Sequence, residues 1–369
     1  MTSCNRGGAA VSAPSARGGC MEDLDGRCAL AGDPPAAREA VARRPVTLAD
    51  VAREARVGES TVSRVLRSHG SFSERTRAQV EAAVARLGYV PNRIAGTLAS
   101  TGSRLIGIVI PSLTNIVFPD VLRGATGALD GEGFQSVIAV TDYDDDREEA
   151  LVDSLLSWRP AGLLITGLEH NQGTVRRLHA SGVRVAELLD LDGPGLDIVV
   201  GYSNRAAGEA SARYLMARGY RRIAYLGHDL ARDRRAGKRY AGFRAALAEA
   251  GLALHAEERI TAPSSVEAGR HGLSALLARA PDCDAVYFSN DDMALGGYFH
   301  CLAAGITVPD RLALFGYNGL DVGRLMPQPL TTIRTPRVEA GATAARLLCT
   351  DAPATRVDLG FELIVGATA

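Results

Sequence analysis

The sequence predicts an α/β chain in which a small three-helix head precedes a body of doubly wound parallel sheets in two lobes. Three observations carry this. Two short helical patterns stand almost end to end between Thr47 and Leu66, and after Leu105 apolar strand runs alternate with helical runs. Positive charge gathers in the head, although the chain of 369 residues has a net charge of only -1.

The head comes first. In TLADVAREARVGESTVSRVL, Leu48, Val51, Ala52 and Ala55 fall at i, i+3, i+4 and i+7, one apolar helical face, and Val62, Val65 and Leu66 give a second. Thr47 with Asp50 makes a capping box for the first helix. Arg56, Val57 and Gly58 leave only a tight turn, so the helices must cross steeply and share their apolar faces as a helix-turn-helix. The outward residues of the second helix, Glu59, Ser60, Thr61, Ser63 and Arg64, are short or hydrogen-bonding and suit a DNA groove. A third helix is expected where Ser73 can cap, Val80, Ala83, Val84 and Leu87 make a stripe, and Gly88 ends it. Helix pairs with tight turns also occur in ordinary helical domains, so charge has to weigh in. From Arg43 to Arg104 eleven arginines face five acids, as a phosphate-facing module requires, and the remainder of the chain is therefore acidic.

Composition narrows the class. A chain with 46% hydrophobic and 22% charged residues is ordinary globular material, with room for two or three domains. Its six cysteines show no C-x-x-C and no histidine at a zinc-ligand spacing, so they read as reduced thiols in a cytoplasmic protein, with neither metal nor cofactor expected. No apolar run approaches the roughly 18 residues of a membrane span. Residues 1–44 are rich in Gly, Ala, Pro, Ser and Arg without periodicity and read as a disordered extension, with Met21 as an alternative start. The chain shows no G-x-G-x-x-G after its first strand, no Walker loop, no G-x-S-x-G and no H-E-x-x-H, so no enzyme is expected. DYDDD, Asp142 to Asp146, fails the calcium-loop spacing and reads as a solvated loop.

The body follows in order: LIGIVIP as a buried strand, VFPDVLRGATGALDGEG as a helix, QSVIAV as a strand, EEALVDSLLSW as a helix, and so on through AGLLITG, VRVAELLD, DIVVGYS, RRIAYLGH, DAVYFSN and LALFGY. About 260 residues of this exceed one usual core, so two lobes with a cleft are expected. Ligands of such sheets sit beyond the carboxyl ends of strands. The places to look are Pro111 to Phe118, with Asn115 and Phe118, then Asp190, Tyr202 to Asn204, His228 to Arg239, Asn290 to Asp292, and Tyr317 to Asn318. These loops are polar with a few aromatics and hold one cationic cluster, RDRRAGKR, which suits a hydroxylated small molecule carrying an anionic group.

VTLADVAREARVGESTVSRVL, LGYVPNRIAGTLAS, FSNDDMALG and LALFGYNGLD, in this order and spacing, resemble the LacI/GalR family of bacterial transcriptional repressors from about Pro45 to the last residue. PSLTNIVFPDVLRG, LLSW, LDLDGPGLDIVVG and LDLGFELIVG look most like its gluconate-operon repressor branch. The resemblance implies a DNA-binding domain over 45–90, a hinge helix over 91–103, and a periplasmic-binding-protein-like effector and dimerisation domain over 104–369. It implies base-reading roles for Glu59, Ser60 and Arg64 and backbone contacts from Thr47, Ser63, Ser73, Thr76, Tyr89 and Asn92, with Leu48 and Thr61 also among the DNA-binding residues. In the hinge it implies that Leu98 wedges into a minor groove, with small Ala95 permitting close approach. In the cleft, Ser112, Asp190, Arg239, Asn290 and Asn318 match ligand-contacting positions, with Arg239 expected to meet a carboxylate and Asp190 to meet hydroxyls. Two departures stand out: Gly58 where a small hydroxyl residue is common, and Asn318 where an aspartate is common.

The partners so implied are a near-palindromic double-stranded operator, a second copy of the chain, and gluconate or a related sugar acid, with no membrane. A regulator answering to another sugar, a sugar phosphate or a purine remains open, as does induction against corepression. A sugar-binding protein or sugar enzyme with the same two-lobed body is the rival of a different class, and the basic head argues against it.

Overall fold

The computed structural model describes residues 44–66, 70–90, 103–350 and 353–369. The extension before residue 44 and the hinge segment with Asn92, Ala95 and Leu98 lie outside the described residues. The chain divides into two compact units, Met1–Pro91 and Asn92–Ala369.

In the first unit, helix α1 (Leu48–Ala55) begins at a full capping box. The Thr47 backbone N–H and hydroxyl donate to Asp50 Oδ2 at 2.9 and 2.6 Å, and the Asp50 N–H donates back to Thr47 Oγ1 at 3.3 Å. These bonds from Thr47 hold the Asp50 carboxyl down at about 2. The helix ends on Arg56 in the left-handed region, φ 54°, which turns the chain sharply into α2 (Glu59–Leu66). The Thr61 and Val62 N–H groups donate to the Gly58 carbonyl, so Gly58 opens α2 with backbone alone. Helix α3 (Glu74–Leu87) is capped by Ser73, whose hydroxyl accepts from the Thr76 N–H, and stops at Gly88, φ 61°. Val51, Ala52, Ala55, Val62, Val65, Val80 and Ala83 form one shared core, as the sequence spacing predicts.

The second unit alternates strand and helix. Strand β1 (Leu105–Ile110), α4 (Val117–Gly131), β2 (Gln135–Val140), α5 (Asp145–Ser157), β3 (Gly162–Thr166), α6 (Gln172–Ser181), β4 (Arg184–Leu188) and β5 (Ile198–Gly201) build the first lobe. The chain then crosses over. Helix α7 (Asn204–Ala217), β6 (Ile223–Gly227), α8 (Arg234–Glu249), β7 (Ala256–Arg259), α9 (Val266–Arg279), β8 (Ala285–Phe288), α10 (Asp291–Ala304), β9 (Ala313–Asn318), the short α11 (Asp321–Arg324) and β10 (Thr331–Arg334) build the second. A second crossing returns to α12 (Arg337–Leu348) and β11 (Thr355–Asp358) in the first lobe, and a third places β12 (Glu362–Ile364) in the second. The sheets run β11-β5-β4-β3-β1-β2 and β12-β10-β9-β8-β6-β7, parallel throughout except that β12 pairs antiparallel with β10.

Burial on both faces explains the continuous apolar runs. On β1, Ile106, Ile108 and Ile110 face Phe118, Val121 and Leu129 of α4, while Val109 points the other way to Val152, Leu155 and Leu163. Helices α7 and α8 touch backbone to backbone, because a Cβ on Gly208 would run into the Arg239 carbonyl and one on Gly242 into the Arg205 carbonyl. That contact seats the start of α8 beside the first crossing.

Two expectations change. DYDDD is no loose loop: Asp144 caps α5, accepting from the Arg147 N–H at 2.8 Å, and Asp145 and Asp146 fill its first turn, where a helix dipole favours carboxylates. Strands β7, β10, β11 and β12 and helices α6, α9, α11 and α12 add to the series read from the sequence. Among the described residues no helix is long and apolar enough to cross a membrane, and no group of three or more His, Cys, Asp or Glu side chains could hold a metal ion. Cys283, Cys301 and Cys349 are free thiols.

Candidate functional site

Two surfaces collect the residues singled out by sequence. On the first unit, Glu59, Ser60 and Arg64 stand exposed along α2, with Thr61 and Ser63 half-buried beside them. The Arg64 Nε donates to the Ser60 carbonyl at 3.3 Å, and its guanidinium lies 5.8 Å from the Phe72 ring centre. The head thus steadies that cation from its own helix. At the entry to α3 the Ser73 and Thr76 hydroxyls are 2.8 Å apart. Leu48 and Tyr89 are half-buried and pack on the core, and the Thr47 hydroxyl is engaged in the cap.

On the second unit a cavity of about 330 Å³ opens beyond the strand ends, within the usual size for a small-molecule site. Pro111, Ser112, Asn115 and Tyr143 line it from the first lobe, and His228, Asp233 and Ser264 from the second. The Ser112 hydroxyl accepts from the Thr114 and Asn115 N–H groups, and the Asn115 amide donates to the Tyr143 hydroxyl at 3.1 Å. Burial pushes Tyr143 up to about 12, so it stays a neutral phenol.

The other five expected residues lie beneath this wall and are buried. Arg239 donates to the Asn204 Oδ1 at 3.1 Å and the Ser289 carbonyl at 3.4 Å, and its guanidinium lies 4.0 Å from the centre of the Tyr317 ring. Only its Nε has no partner. The expectation that Arg239 presents a free fork to a carboxylate therefore meets a guanidinium already engaged by protein. Asp190 is likewise taken: Lys238 Nζ lies 2.5 Å from its Oδ2, and the Asp192 N–H and Asn204 amide donate to its Oδ1. The Asn318 amide donates to Asn290 Oδ1 at 3.3 Å, with Asn318 at φ 120°. Phe118 is fully buried, and the Arg235 guanidinium lies 5.3 Å from its ring centre.

Within the cationic cluster, sequence reasoning singled out neither Arg232, which lines the cavity, nor Arg235, which lines a pocket of about 50 Å³ next to it. Arg235 follows Asp233, the cap of α8, and its side chain is 11% exposed. Its ion-pair contact is Asp233 at 3.8 Å, and among the described residues its guanidinium has no hydrogen-bond acceptor. Asp233 is itself shared: it accepts from the Ala236 N–H and lies 3.3 Å from His228 Nε2. Burial alone would raise the Asp233 carboxyl, but Arg235, with His228 and Arg239, holds it far below the ordinary range. Asp233 thus feels both guanidiniums, and Asp142, Asp229 and Arg232 add their own charges along the cavity wall. Farther along the rim the lobes are joined by charge: Lys238 also pairs with Glu169 at 2.5 Å, and Arg234 pairs with Asp145.

Behind this rim His170 sits between Glu148, at 2.7 Å, and Glu187, at 3.4 Å. Burial alone would lower its pKa, but hydrogen bonds and charge from the two carboxylates raise it to about 9. A histidine raised above its unfolded value of about 6.5 gives stability that is complete below that value and lost as pH rises through the folded one. The melting temperature is therefore expected to fall between neutral pH and pH about 9, and His170→Gln to remove that part of the slope. Parallel melting curves for the two proteins across that range would contradict the assignment.

Comparison with known proteins finds a family match for each unit. Residues 47–92 match the family of bacterial regulatory proteins of lacI type, and residues 103–357 match the periplasmic binding proteins and sugar binding domain of the LacI family. The HTH-type transcriptional regulator GntR of Escherichia coli K12 is 37% identical over 331 residues, covering 88% of this chain and 99% of that protein. A LacI-family regulator from Silicibacter pomeroyi superposes with a TM-score of 0.84 at 41% identity, covering 88% and 99% of the two chains. The lac repressor dimer bound to operator and the anti-inducer ONPF gives 0.75 at 28% identity, covering 88% and 99%. With a helix-turn-helix head, a two-lobed body of parallel sheets and relatives matched along nearly their whole length, the chain belongs to the LacI family of bacterial transcriptional regulators.

Proposed function

We propose that the protein is an operator-binding regulator whose DNA affinity is set by a sugar acid, gluconate or a near relative, held in the cleft. The observation that carries this is Arg235: a sheltered guanidinium that has no hydrogen-bond acceptor among the described residues, in a small pocket next to the cavity and beside the carboxylate of Asp233, which lines both. A planar fork of this kind suits a carboxylate. Asn115 and Tyr143 offer the neutral donors and acceptors that a polyol chain needs, and His228 lines the same wall. Arg239 supports the wall from beneath, and Lys238 neutralises Asp190, which would otherwise repel an acid.

Glu59, Ser60 and Arg64 read base edges on this view, and Thr47, Ser63, Ser73, Thr76 and Tyr89 address the backbone. A head of this size covers one half-site, so two copies on a near-palindrome are proposed, as in the lac repressor dimer on its operator. Exposed Phe299, Leu302 and Leu325 give the second lobe apolar surface for such a contact. The site of action is the cytoplasm, where the DNA is.

Calorimetry of the purified protein with gluconate and with glucose tests the ligand. Gluconate is expected to bind at least tenfold more tightly, since an acceptor-less cation costs about 1–3 kcal/mol when its site fills with a neutral sugar. Equal binding of the two would return the cleft to the wider range of sugars.

A further inference from the structure

One side chain joins the end of β9 in the second lobe to the first helix of the first lobe. Arg337 opens α12 immediately after the second crossing and is 10% exposed. Its Nη1 donates to the backbone carbonyl of Asn318 in the second lobe, while its Nε and Nη2 reach Asp120 Oδ2 on α4 of the first lobe at 3.0 and 2.9 Å. Asn318 is no ordinary anchor. It sits at φ 120°, followed by Gly319 at φ 69°, a conformation that a residue with a side chain keeps only when its surroundings hold it. Its amide donates to Asn290, a second buried residue at a position that the family resemblance assigns to the ligand. Asp120 lies two residues beyond Phe118, whose ring underlies Arg235.

We propose that Arg337 is the positioning residue that couples the cleft to helix α4: one guanidinium holds both a strained backbone oxygen of one lobe and a carboxylate of the other. A rigid fork cannot serve both partners unchanged once they move relative to each other. Any occupant that bonds the Asn318 amide competes with Asn290 and disturbs the strained peptide. Arg337 then either follows the carbonyl and loosens from Asp120, or keeps Asp120 and releases the carbonyl. Either way the start of α4 changes its restraint. The charge on Asp120 is shared with Arg123 at 2.9 Å, so loss of Arg337 leaves the carboxylate paired and the helix intact. This proposal rests on the reading of the cleft as the effector site, and its first test needs no effector.

Hydrogen exchange is measured on the backbone of residues 117–124 in four full-length proteins: unaltered, Asn318→Gly, Arg337→Met, and the double variant. Asn318→Gly relieves the strained backbone at the cleft and is expected to change exchange in α4 when Arg337 is present and to change nothing further in the Arg337→Met protein. The same shift from Asn318→Gly in both backgrounds overturns the proposal. Asp120→Asn serves in place of Arg337→Met should that protein not fold, with the same expectation. The second test is functional: operator affinity by fluorescence anisotropy, with and without saturating gluconate. In Arg337→Met the ratio of the two affinities is expected to fall by about tenfold, with gluconate affinity itself kept, and Arg337→Lys to lie between. A lowered melting temperature with the ratio unchanged would make Arg337 a structural pin only. Failure of the unaltered protein to bind gluconate would instead count against the ligand reading and leave the exchange result to decide the coupling.

Discussion

Arg235→Gln is expected to lower affinity for gluconate by about ten- to a hundredfold while leaving glucose binding where it was, because a charge-assisted pair contributes about 1.5–3 kcal/mol and a neutral sugar never makes it. The substitution is mild for the fold. Among the described residues Arg235 donates no hydrogen bond, and its neighbour Asp233 keeps the Ala236 N–H and His228. Arg235→Lys keeps the charge but not the fork and should recover part of the loss. Operator binding without effector should not move. Calorimetry decides: equal losses for acid and neutral sugar would mean that Arg235 shapes the cleft without selecting the carboxylate. The same experiment on Arg239→Ala separates the two cations. Its partners, Asn204 and the Ser289 carbonyl, are protein groups, so its removal should loosen the wall and weaken both ligands together.

Arg64→Ala is expected to reduce operator binding by about 1–3 kcal/mol while leaving affinity for random DNA nearly unchanged, the mark of a base contact. The geometry favours it: Arg64 is exposed on α2 and braced by the Ser60 carbonyl, so the fork is presented with part of its freedom already removed. Anisotropy titrations with operator and scrambled duplex, each over a series of salt concentrations, make the distinction. Loss on both duplexes, with the salt slope reduced by about one, would make Arg64 a phosphate contact.

The head was legible almost to the residue because every device in it is local. The Thr47 and Asp50 box, the turn through Arg56 to Gly58, the Ser73 cap and the Gly88 stop are all short-range, and a shared core leaves them little alternative. The alternation of the body was legible for the same reason. Other parts were less so. The short edge strands β7, β11 and β12 are half-exposed and carry charged residues, so no apolar run announces them. The cluster RDRRAGKR pointed to a cation in the cleft, and spacing could not separate Arg232, which lines the cavity, from Arg235 in the pocket beside it. Asp233 starts α8, Gly208 and Gly242 fix how α8 lies on α7, and that roll engages Arg239 with Asn204 while leaving Arg235 without an acceptor. Such a choice is made by packing between segments thirty residues apart, which spacing cannot show. Lys238 on Asp190 is the same kind of fact, made across two lobes.

The three crossings between lobes also set the order in which the molecule can be completed. Neither lobe is a continuous stretch: the first needs α12 and β11 added to residues 105–201, and the second needs β12 added to residues 204–334. As the chain leaves the ribosome, the helical head can close on its own local contacts long before either sheet has its last strand. The first lobe waits with the edge of β5 bare until β11 emerges, more than 150 residues later. The body therefore closes only once β11 and β12 have emerged, and until then its unpaired strand edges are a place where nascent chains can stick to one another.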